Sequence, residues 1–536
     1  MGSLVRKILF VSVGLVGGCG GNSTPTVPTL LAPYQGQATG TVFSTAGAPN
    51  PLRPTFRWTA VDRGAGYEIQ VDGSCTGPKD CAFTAPVVDQ RTSGTSFIPS
   101  ADLNVSTSAP VGARYFWRVS ACDSSGACAA WSRVGIVDVG RQRQDFNGDG
   151  YADLAVVARS SLGSALFVYL GAETLPTSPS WIVRPDASAA GAPEIGVDQV
   201  IWLGDVNADG FADLAVIVNH QDAPDTLRLY LGGASPATTP VQEVSNTPFS
   251  NPSIISLLSG DMNGDGFADV FQNYQGLSSI SDVVSYGPDL GSDDVASRPL
   301  GTGIVAACDF DSDGYTDLVE DDLSLFRGGQ TGPLGATPAH ISVPSGQIPV
   351  GCAWNLNGLG SASLVLRAGA GHTPSLMVAS SWVAPSAAAC DGPLPALSAG
   401  AGSAARGPMA DIGDADGDGY DDLLVGDPAN NRAALYFGGC PVQRVIELPG
   451  GTEFGGTPNA GVAVAATGDL DGDGYPDFAV ANVFGNFDSY CAGEVYIYRG
   501  GPNSASQTTP SIILTDPDHT ATPGGCTGDD FGTSLD

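Results

Sequence analysis

The sequence predicts an all-β protein, with an N-terminal β-sandwich followed by a longer region of repeated, short-stranded units. Gly (73) and Pro (39) together make 112 of the 536 residues, which is turn-rich but below the fraction typical of unstructured low-complexity chains. No sustained 3.6-residue apolar period is present, so long helices are not expected. A nine-residue motif recurs from residue 145 onward, and a motif that repeats over a long chain indicates a repeat architecture.

The charge balance is strongly acidic and excludes one large class of partner. There are 22 Lys and Arg against 56 Asp and Glu, giving a formal net charge of −34. Nucleic-acid binding requires a basic face for the phosphates. We therefore expect no nucleic-acid partner, and the acidic residues must serve another purpose.

The N-terminus is typical of an export signal. Residues 1–18 combine a short basic head with an apolar run too short to span a bilayer stably. The ending Val16-Gly17-Gly18-Cys19 resembles the lipobox of bacterial lipoproteins, which implies a lipid-modified Cys19 and membrane attachment. Gly20 favours the outer membrane, and hence the bacterial cell surface. Residues 19–31 are predicted to form a flexible tether. The alternative is an ordinary secretory signal in which Cys19 is incidental.

The cysteine count agrees with export to an oxidising compartment. Eleven cysteines are present, and without Cys19 an even number remains for disulfides. Short spacings predict two local bridges, and sequential pairing is the simplest hypothesis for the others, although sequence does not fix the connectivity. The candidate cysteines are Cys75 with Cys81, Cys122 with Cys128, and then Cys308, Cys352, Cys390, Cys440, Cys491 and Cys526.

Residues 32–140 show the alternating pattern of a β-sandwich. The runs 54–60, 66–71, 115–121 and 130–132 carry Trp58, Trp117 and Trp131 in predicted strands. They resemble a fibronectin type III module, in which the first Trp fills the core. Core packing is favoured over ligand stacking for all three tryptophans. This domain is interpreted as a spacer or docking module.

The repeated motif has the form Asp-x-Asp/Asn-x-Asp-Gly-aromatic-x-Asp. A further copy, Asn355–Ser363, is fifth in chain order and keeps the frame without any carboxylate. The spacings from one copy to the next are 46 to 60 residues, the size of a four-stranded propeller blade with its loops. The six intact copies are Asp145–Asp153, Asp205–Asp213, Asp261–Asp269, Asp309–Asp317, Asp414–Asp422 and Asp469–Asp477.

Predicted strands surround each copy: one before it, one directly after it, a third ending in an aromatic and Gly, and a shorter fourth. This pattern resembles the FG-GAP/VCBS repeats of integrin α-chain β-propellers, and Phe454-Gly455 and Phe531-Gly532 match the namesake dipeptide. The resemblance covers residues 141–536 and implies a seven-bladed calcium-binding β-propeller. Residues 530–536 either pair with the first blade and close the ring, or begin a unit that continues beyond a truncated chain.

The motif predicts calcium loops. Carboxylate and amide oxygens at positions 1, 3 and 5, a Gly at position 6 and a carbonyl at position 7 suit a hard cation. An EF-hand is disfavoured, because position 12 is Val in four copies. About six structural calcium ions are expected, and the fifth copy should bind none. By resemblance the ligands are Asp145, Asn147, Asp149, Tyr151 and Asp153; Asp205, Asn207, Asp209, Phe211 and Asp213; Asp261, Asn263, Asp265, Phe267 and Asp269; Asp309, Asp311, Asp313, Tyr315 and Asp317; Asp414, Asp416, Asp418, Tyr420 and Asp422; and Asp469, Asp471, Asp473, Tyr475 and Asp477, the aromatic residues through their carbonyls.

No catalytic residues are assigned, because no recognisable nucleophile, phosphate-binding or zinc-peptidase motif occurs. The sequence therefore favours a non-catalytic, calcium-stabilised, lipid-anchored surface protein for adhesion or ligand binding, with a protein or polysaccharide partner on a propeller face. A calcium-dependent polysaccharide lyase or hydrolase is the alternative, and an architectural envelope protein is the second alternative.

Overall fold

The computed structural model has an all-β fold. Among the described residues it contains 36 strands, and the helical content is the 3-10 turn Pro428–Asn430. No helix among them is long and apolar enough to cross a membrane. The structure describes residues 25–43, 52–62, 64–160, 163–184, 194–220, 225–244, 253–275, 279–288, 293–299, 303–334, 338–358, 360–368, 376–379, 390, 392–395, 397, 408–449, 460–483, 493–502, 508–518 and 530–536.

Eight strands form the N-terminal unit. They are β1 (Leu30–Ala32), β2 (Gln37–Thr39), β3 (Phe56–Trp58), β4 (Gly66–Asp72), β5 (Val88–Thr92), β6 (Ser96–Phe97), β7 (Ala113–Cys122) and β8 (Gly135–Val139). One sheet has the order β1-β3-β6 and the other the order β2-β8-β7-β4-β5, in which only β2 and β8 pair in parallel. The two sheets pack face to face over one apolar core.

The tryptophans of this unit differ in their environment. Trp58 and Trp117 are 2% and 0% exposed and lie in the core, on opposite sheets. The expectation that Trp131 lies in a strand is wrong: it lies outside the strands and is partly buried. The guanidinium of Arg118 sits 4.4 Å from its ring centroid, so a cation–π contact holds Trp131 at the surface of the sheet.

The remaining strands form seven four-stranded antiparallel sheets, here called repeat sheets 1 to 7. Sheet 1 contains β9 (Leu154–Ser160), β10 (Gly163–Tyr169) and β11 (Trp181–Val183), and sheet 2 contains β12 (Glu194–Gly204), β13 (Asp213–His220), β14 (Thr226–Tyr230) and β15 (Gln242–Val244). Sheet 3 contains β16 (Ser253–Gly260), β17 (Asp269–Gln275), β18 (Ser279–Ser285) and β19 (Asp293–Pro299), and sheet 4 contains β20 (Ile304–Cys308), β21 (Asp317–Glu320), β22 (Ser324–Phe326) and β23 (Ala339–His340). Sheet 5 contains β24 (Gln347–Ala353), β25 (Ser363–Ala368), β26 (Leu376–Ala379) and β27 (Gly392–Pro393), and sheet 6 contains β28 (Met409–Gly413), β29 (Asp422–Asp427), β30 (Arg432–Phe437) and β31 (Arg444–Pro449). Sheet 7 contains β32 (Ala460–Gly468), β33 (Asp477–Asn482), β34 (Glu494–Tyr498) and β35 (Ile512–Thr515), and β36 (Asp530–Leu535) is the fourth strand of sheet 1.

The repeat sheets are arranged in a closed cycle. One edge strand of each sheet contacts the corresponding edge strand of the next sheet. These contacts run in the order β36, β12, β16, β20, β24, β28 and β32, and β32 contacts β36 again. Seven apolar clusters each lie between two neighbouring sheets, including one between sheets 7 and 1. Strand β36 pairs with β9, and Phe531 is fully buried between these sheets. Of the two readings of residues 530–536, the structure therefore shows pairing with the first sheet, which removes its open edge.

Four disulfides join described cysteines, so the expectation of disulfides is confirmed. Two are local, Cys75–Cys81 and Cys122–Cys128. Cys308–Cys352 links β20 to β24, and Cys390–Cys440 links the chain before β27 to the chain after β30. These two bonds tie sheet 5 to both of its neighbours. Cys491 and Cys526 lie outside the described residues, as do Cys19, residues 1–24 and Phe454-Gly455.

Candidate metal-binding loops

Each copy of the nine-residue motif forms a turn that leads into the second strand of its sheet. We call these turns loops 1 to 7 in chain order, loop 5 being Asn355–Ser363. In loop 2, for example, β12 ends at Gly204, position 1 is Asp205, and position 9 is Asp213, the first residue of β13. Because the same turn recurs in every sheet of a closed cycle, the loops lie together on one face of the ring.

Position 1 organises the turn. In loop 1 the two carboxylate oxygens of Asp145 accept the backbone N–H groups of Asp149 at 3.0 Å and Gly150 at 2.7 Å. The same pair of bonds forms in the other five intact loops. Gly150 at position 6 has φ +98°, a conformation that only Gly adopts at low cost.

Position 9 ties each loop to the third strand of its sheet. This Asp is completely buried in all six intact loops. In loop 7, Oδ2 of Asp477 accepts the N–H of Leu470 at 3.0 Å, and Oδ1 accepts the N–H of Gly500 at 2.8 Å. Equivalent bonds hold the other five. A buried carboxylate with two such bonds is a structural anchor as well as a candidate ligand.

Carboxylates of positions 1, 3 and 9 converge. In loops 4, 6 and 7 one oxygen from each of these three residues lies within 4.8 Å of the others. At position 5 one carboxylate oxygen accepts the N–H of position 7, at 3.0 to 3.1 Å. The convergent groups are Asp309, Asp311 and Asp317; Asp414, Asp416 and Asp422; and Asp469, Asp471 and Asp477.

The electrostatics of the loops favour a cation. The pKa of Asp213 is raised to about 7, and that of Asp269, Asp317 and Asp422 to about 8. Burial is the main cause in each case. Neighbouring loop carboxylates also raise these pKa values, and hydrogen bonds from backbone N–H groups partly oppose the shift. Such shifts show that the loops hold negative charge which water does not stabilise. Hard oxygen donors in this number suit Ca²⁺, so the residues present fit that ion.

Arginines balance the charge of the loops that carry an extra carboxylate. Loops 1 to 3 have Asn at position 3, whereas loops 4, 6 and 7 have Asp. Each of these Asp residues pairs with an arginine of its own sheet, so positions 1, 3, 5 and 9 of all six intact loops, taken with that arginine where it is present, carry the same net charge of −3. The pairs are Arg327–Asp311 at 2.5 Å, Arg499–Asp471 at 2.8 Å, and Arg444–Asp416. Sequence reasoning missed this rule, although Arg327 and Arg499 both directly precede the Gly that follows the third strand.

Neighbouring loops pack against each other through positions 4 and 7. A Cβ added to Gly148 would lie 2.3 Å from the ring of Phe211 in the next loop. The same relation links Gly264 with Tyr315, Gly358 with Tyr420, Gly417 with Tyr475 and, across the closure, Gly472 with Tyr151. The aromatic residue at position 7, expected to contribute only its carbonyl, therefore also locks one loop onto the previous one.

The N-terminal unit covers much of the loop face. Arg141 pairs with Asp205 at 3.3 Å, Arg133 lies 3.9 Å from Asp309, and Gln35 donates to Asp261 at 3.5 Å. Phe43 stacks on Tyr151, and Tyr34 stacks on Trp354, with ring centroids 4.1 and 4.4 Å apart. Of the two roles expected for this unit, spacer or docking module, these contacts favour docking onto the loops. Sequence could not reveal this, because the contacts join residues far apart in the chain.

Loop 5 keeps the shape of the turn with neutral groups. Oδ1 of Asn355 accepts the N–H of Gly360 at 3.0 Å, as the position 1 carboxylate does elsewhere. Its amide donates to the carbonyl of Gly419 in loop 6 at 3.0 Å. Asn357 donates to the hydroxyl of Ser363 at 3.1 Å. Loop 5, which has no carboxylate, is thus joined to loop 6 by a direct hydrogen bond.

Comparison with known families agrees with this geometry. A model of the FG-GAP-like repeat matches residues 145–216 and 205–271, and a model of the FG-GAP repeat matches residues 460–498. The chain contains FG-GAP repeats. The resemblance stated from the motif is thereby confirmed for these segments, and a propeller-like fold is supported.

One curated relative is an integrin chain. Integrin alpha-PS2 of Drosophila melanogaster is 38% identical over 103 residues, which cover 17% of this chain and 7% of the relative. The chain therefore spans a small part of the length of this relative.

Similar solved structures are β proteins of low sequence identity. The exotype rhamnogalacturonan lyase YesX has a TM-score of 0.32 and 12% identity, with 91% of this chain and 98% of that chain covered. The Dos1 propeller has a TM-score of 0.30 and 11% identity, covering 64% and 76%. A rhamnogalacturonan lyase of Bacillus licheniformis has a TM-score of 0.24 and 13% identity, covering 91% and 77%. Likenesses at these TM-scores carry no argument about function.

Proposed function

We propose that the repeat region is a seven-bladed β-propeller stabilised by about six calcium ions, and that the N-terminal unit is a fibronectin type III-like sandwich. Seven four-stranded sheets in a closed cycle support the first assignment. Two sheets of three and five strands around Trp58 and Trp117 support the second. Each calcium ion would be held by the oxygens of positions 1, 3 and 9 of one intact loop, joined by those of positions 5 and 7.

The role of calcium would be structural. The carboxylates at positions 1 and 9 already hold the turn through backbone N–H groups, so a bound ion adds rigidity to an ordered loop. Magnesium is disfavoured, because it keeps several of its waters and is rarely enclosed by an all-protein oxygen cage. Carboxylates that bind calcium are also withdrawn from acid–base chemistry.

The function that this architecture supports best is adhesion or ligand binding at a bacterial surface, with Cys19 as the lipid anchor. The observation that carries the proposal is the set of six intact loops that use their carboxylates to hold a ring and to dock the N-terminal unit. This arrangement builds a rigid display platform. The partner would be a protein or a polysaccharide bound on the ring.

The test uses the mature chain without its proposed anchor Cys19, residues 20–536, and measures its retention on a panel of polysaccharides and whole-cell envelopes, with calcium and with chelator. Calcium-dependent retention without new sugar ends supports the proposal. Release of new sugar ends would instead establish the polysaccharide lyase or hydrolase. If the chain is not retained and no new sugar ends are released, ligand binding is overturned and the architectural role is the remaining candidate.

A further inference from the structure

The N-terminal unit covers the loop face unevenly. A Cβ at the position 6 glycine would meet side chains of this unit in four intact loops and in loop 5, at 2.6 to 3.0 Å: Gly150 (Val111), Gly210 (Pro110), Gly266 (Pro78), Gly314 (Arg133) and Gly360 (Leu31). At Gly419 of loop 6 nothing lies within 4 Å. The gap is one side of a cleft of about 560 Å³ between the two units. This volume is in the range of small-molecule sites.

The wall of the cleft carries two carboxylates that are peculiar to the sixth repeat. Asp421 is at position 8, where the other six loops have only uncharged residues: Ala152, Ala212, Ala268, Thr316, Ala362 and Pro476. Asp411 lies three residues before position 1, where the other repeats also have uncharged residues: Gln142, Trp202, Leu258, Ala306, Cys352 and Ala466. Both Asp residues line the cleft. The repeat fold does not require them, because it forms six times without them.

The two carboxylates differ in how they are held. Asp411 accepts the N–H of Trp354 at 2.6 Å and that of Gly413 at 3.3 Å. Asp421 is 4% exposed, and none of the described residues donates a hydrogen bond to its buried Oδ2. A buried carboxylate oxygen without a partner costs free energy. It is therefore a position at which a ligand cation would be strongly stabilised.

The charged residues of the cleft favour a cationic ligand. Besides Asp411 and Asp421, the cleft is lined by Asp536, Arg57 and Arg143, and by the position 1 carboxylates of loops 6 and 7. The acidic groups therefore outnumber the two arginines. No described ion pair joins either arginine to Asp421.

The uncharged lining has the character of a sugar site. Gln142 and Gln144 line the cleft, and the Nε2 group of Gln144 donates to the carbonyl of Ala466, which leaves its Oε1 as an acceptor. Tyr34 also lines the cleft and stacks on Trp354. Amide groups both donate to and accept from hydroxyls, and aromatic faces pack on the C–H faces of sugar rings. Hydroxyl recognition combined with one unpartnered carboxylate distinguishes this cleft from an apolar groove.

We propose that the cleft binds a saccharide carrying a free amino group, with its ammonium paired to Asp421 and its hydroxyls bonded to the amide of Gln142 and to the amide oxygen of Gln144. This inference rests on the proposed ligand-binding function and names the class of ligand. An ammonium donates three hydrogen bonds and carries a positive charge, so it can serve as the partner that Oδ2 of Asp421 lacks among the described residues.

The experiment is calorimetric titration of the mature chain in calcium with three oligosaccharides of equal length: a glucosamine oligomer, its N-acetylated form and a neutral glucose oligomer. We expect the glucosamine oligomer to bind, and the other two to bind at least about 30-fold more weakly, since they offer no ammonium to the unpartnered carboxyl oxygen of Asp421. Equal binding of all three would overturn the proposal, as would failure of the glucosamine oligomer to bind.

Two variants and one control connect binding to the residue. Asp421→Asn should weaken binding of the glucosamine oligomer at least about 30-fold. Asp421→Ala restores the residue found in four other loops, so it should keep the melting temperature in calcium and still lose binding. Asp62→Asn removes one charge from an exposed position of the N-terminal unit and should bind normally.

Unchanged binding by both Asp421 variants would overturn the assignment of the site. If no amino sugar binds but calcium-dependent retention on envelopes persists, this inference fails and the proposed function stands.

Discussion

Loop 5 and the six intact loops reach the same shape by different chemistry. The intact loops gather carboxylates around a site suited to a cation, and they depend on buried like charges. Loop 5 uses neutral amides and a hydroxyl, and its sheet is joined by disulfides to the sheets on both sides. With calcium in the six intact loops, as proposed, six of the repeat sheets would carry a metal cross-link, and sheet 5 carries disulfides to both neighbouring sheets instead.

Chelation should produce the largest effect and should separate the two kinds of loop. Each proposed calcium site would stabilise the fold by about 2.7 kcal/mol when free calcium is 100 times its dissociation constant. We expect chelator to lower the melting temperature sharply and to accelerate amide exchange in loops 1–4, 6 and 7. Exchange in residues 355–358 should change least. Equal acceleration there, measured by hydrogen-exchange mass spectrometry, would contradict the comparison.

Removal of the disulfides of sheet 5 should come next in magnitude. The bonds Cys308–Cys352 and Cys390–Cys440 close loops of 44 and 50 residues, so chain entropy predicts that each stabilises the fold by about 4 kcal/mol. The double variant Cys308→Ser with Cys352→Ser should therefore lose more free energy of unfolding in urea than Cys122→Ser with Cys128→Ser, whose loop spans 6 residues and predicts about 2 kcal/mol. A larger loss from the local pair would refute the cross-link argument.

Position 9 tests the comparison at a single residue. Asp477→Asn removes a metal ligand and one of two buried hydrogen bonds, so we expect a loss of about 2–4 kcal/mol in calcium. Ser363→Ala at the same position of loop 5 removes one neutral bond and should cost about 1 kcal/mol. Denaturant titration in calcium and in chelator measures both. The Asp477 variant should lose most of its difference from wild type in chelator, and the Ser363 variant should not.

The contact between positions 4 and 7 offers a rescue test. Loop 4 has Ser312 rather than Gly at position 4, and the loop that follows it has Ser361 rather than an aromatic residue at position 7; both are buried. Ser361→Tyr should overpack this junction and cost about 1–3 kcal/mol. Ser312→Gly in the same chain should restore much of the loss. Additive rather than compensating effects in urea unfolding would show that the two positions do not meet.

The smallest effect is expected for the arginines that balance charge. Arg499→Gln removes a partly exposed ion pair with Asp471, so without calcium the free energy of unfolding should fall by less than about 1 kcal/mol. With calcium the ion replaces the lost positive charge, and the difference should shrink. Arg184→Gln, which breaks an exposed pair with Asp518 away from the loops, is the control and should not depend on calcium. If Arg499→Gln lost the same free energy of unfolding with and without calcium, the proposed role of this arginine in balancing the loop charge would be contradicted.

The parts of this structure that local chemistry determines were predictable. Asp and Gly at fixed offsets define the turns, and alternating apolar residues on both sides define the strands, so the repeat region could be inferred from its motif. The role of Phe211 and its equivalents could not, because it depends on a glycine about 60 residues earlier. Trp131 was misassigned for a related reason: its ring packs against Arg118 of β7, a contact that the pattern of its own segment does not reveal.

The candidate site was only partly visible in the sequence. The motif marks the residues of each loop, but not that the N-terminal unit lies over most of them and leaves loop 6 open. Arg133 and Arg141 contact the position 1 carboxylates of loops 4 and 2. Position 1 is Asp in every intact loop, so the sequence does not show which of these carboxylates have such a contact. Asp421 could have been noticed as the one acidic residue at position 8, since a departure from an internal repeat is visible without any relative.

The pairing of β36 with β9 also has a consequence for the order in which the molecule folds. These strands meet across 376 positions of chain, as in the contact of Thr533 with Val157. Such a distant contact carries a high loop-closure entropy and forms late. Until residues 530–535 have been synthesised, the first sheet has an open edge beside β9. The chain of all the other repeat sheets is made before this edge is covered, so β9 is the strand exposed longest to pairing with another molecule.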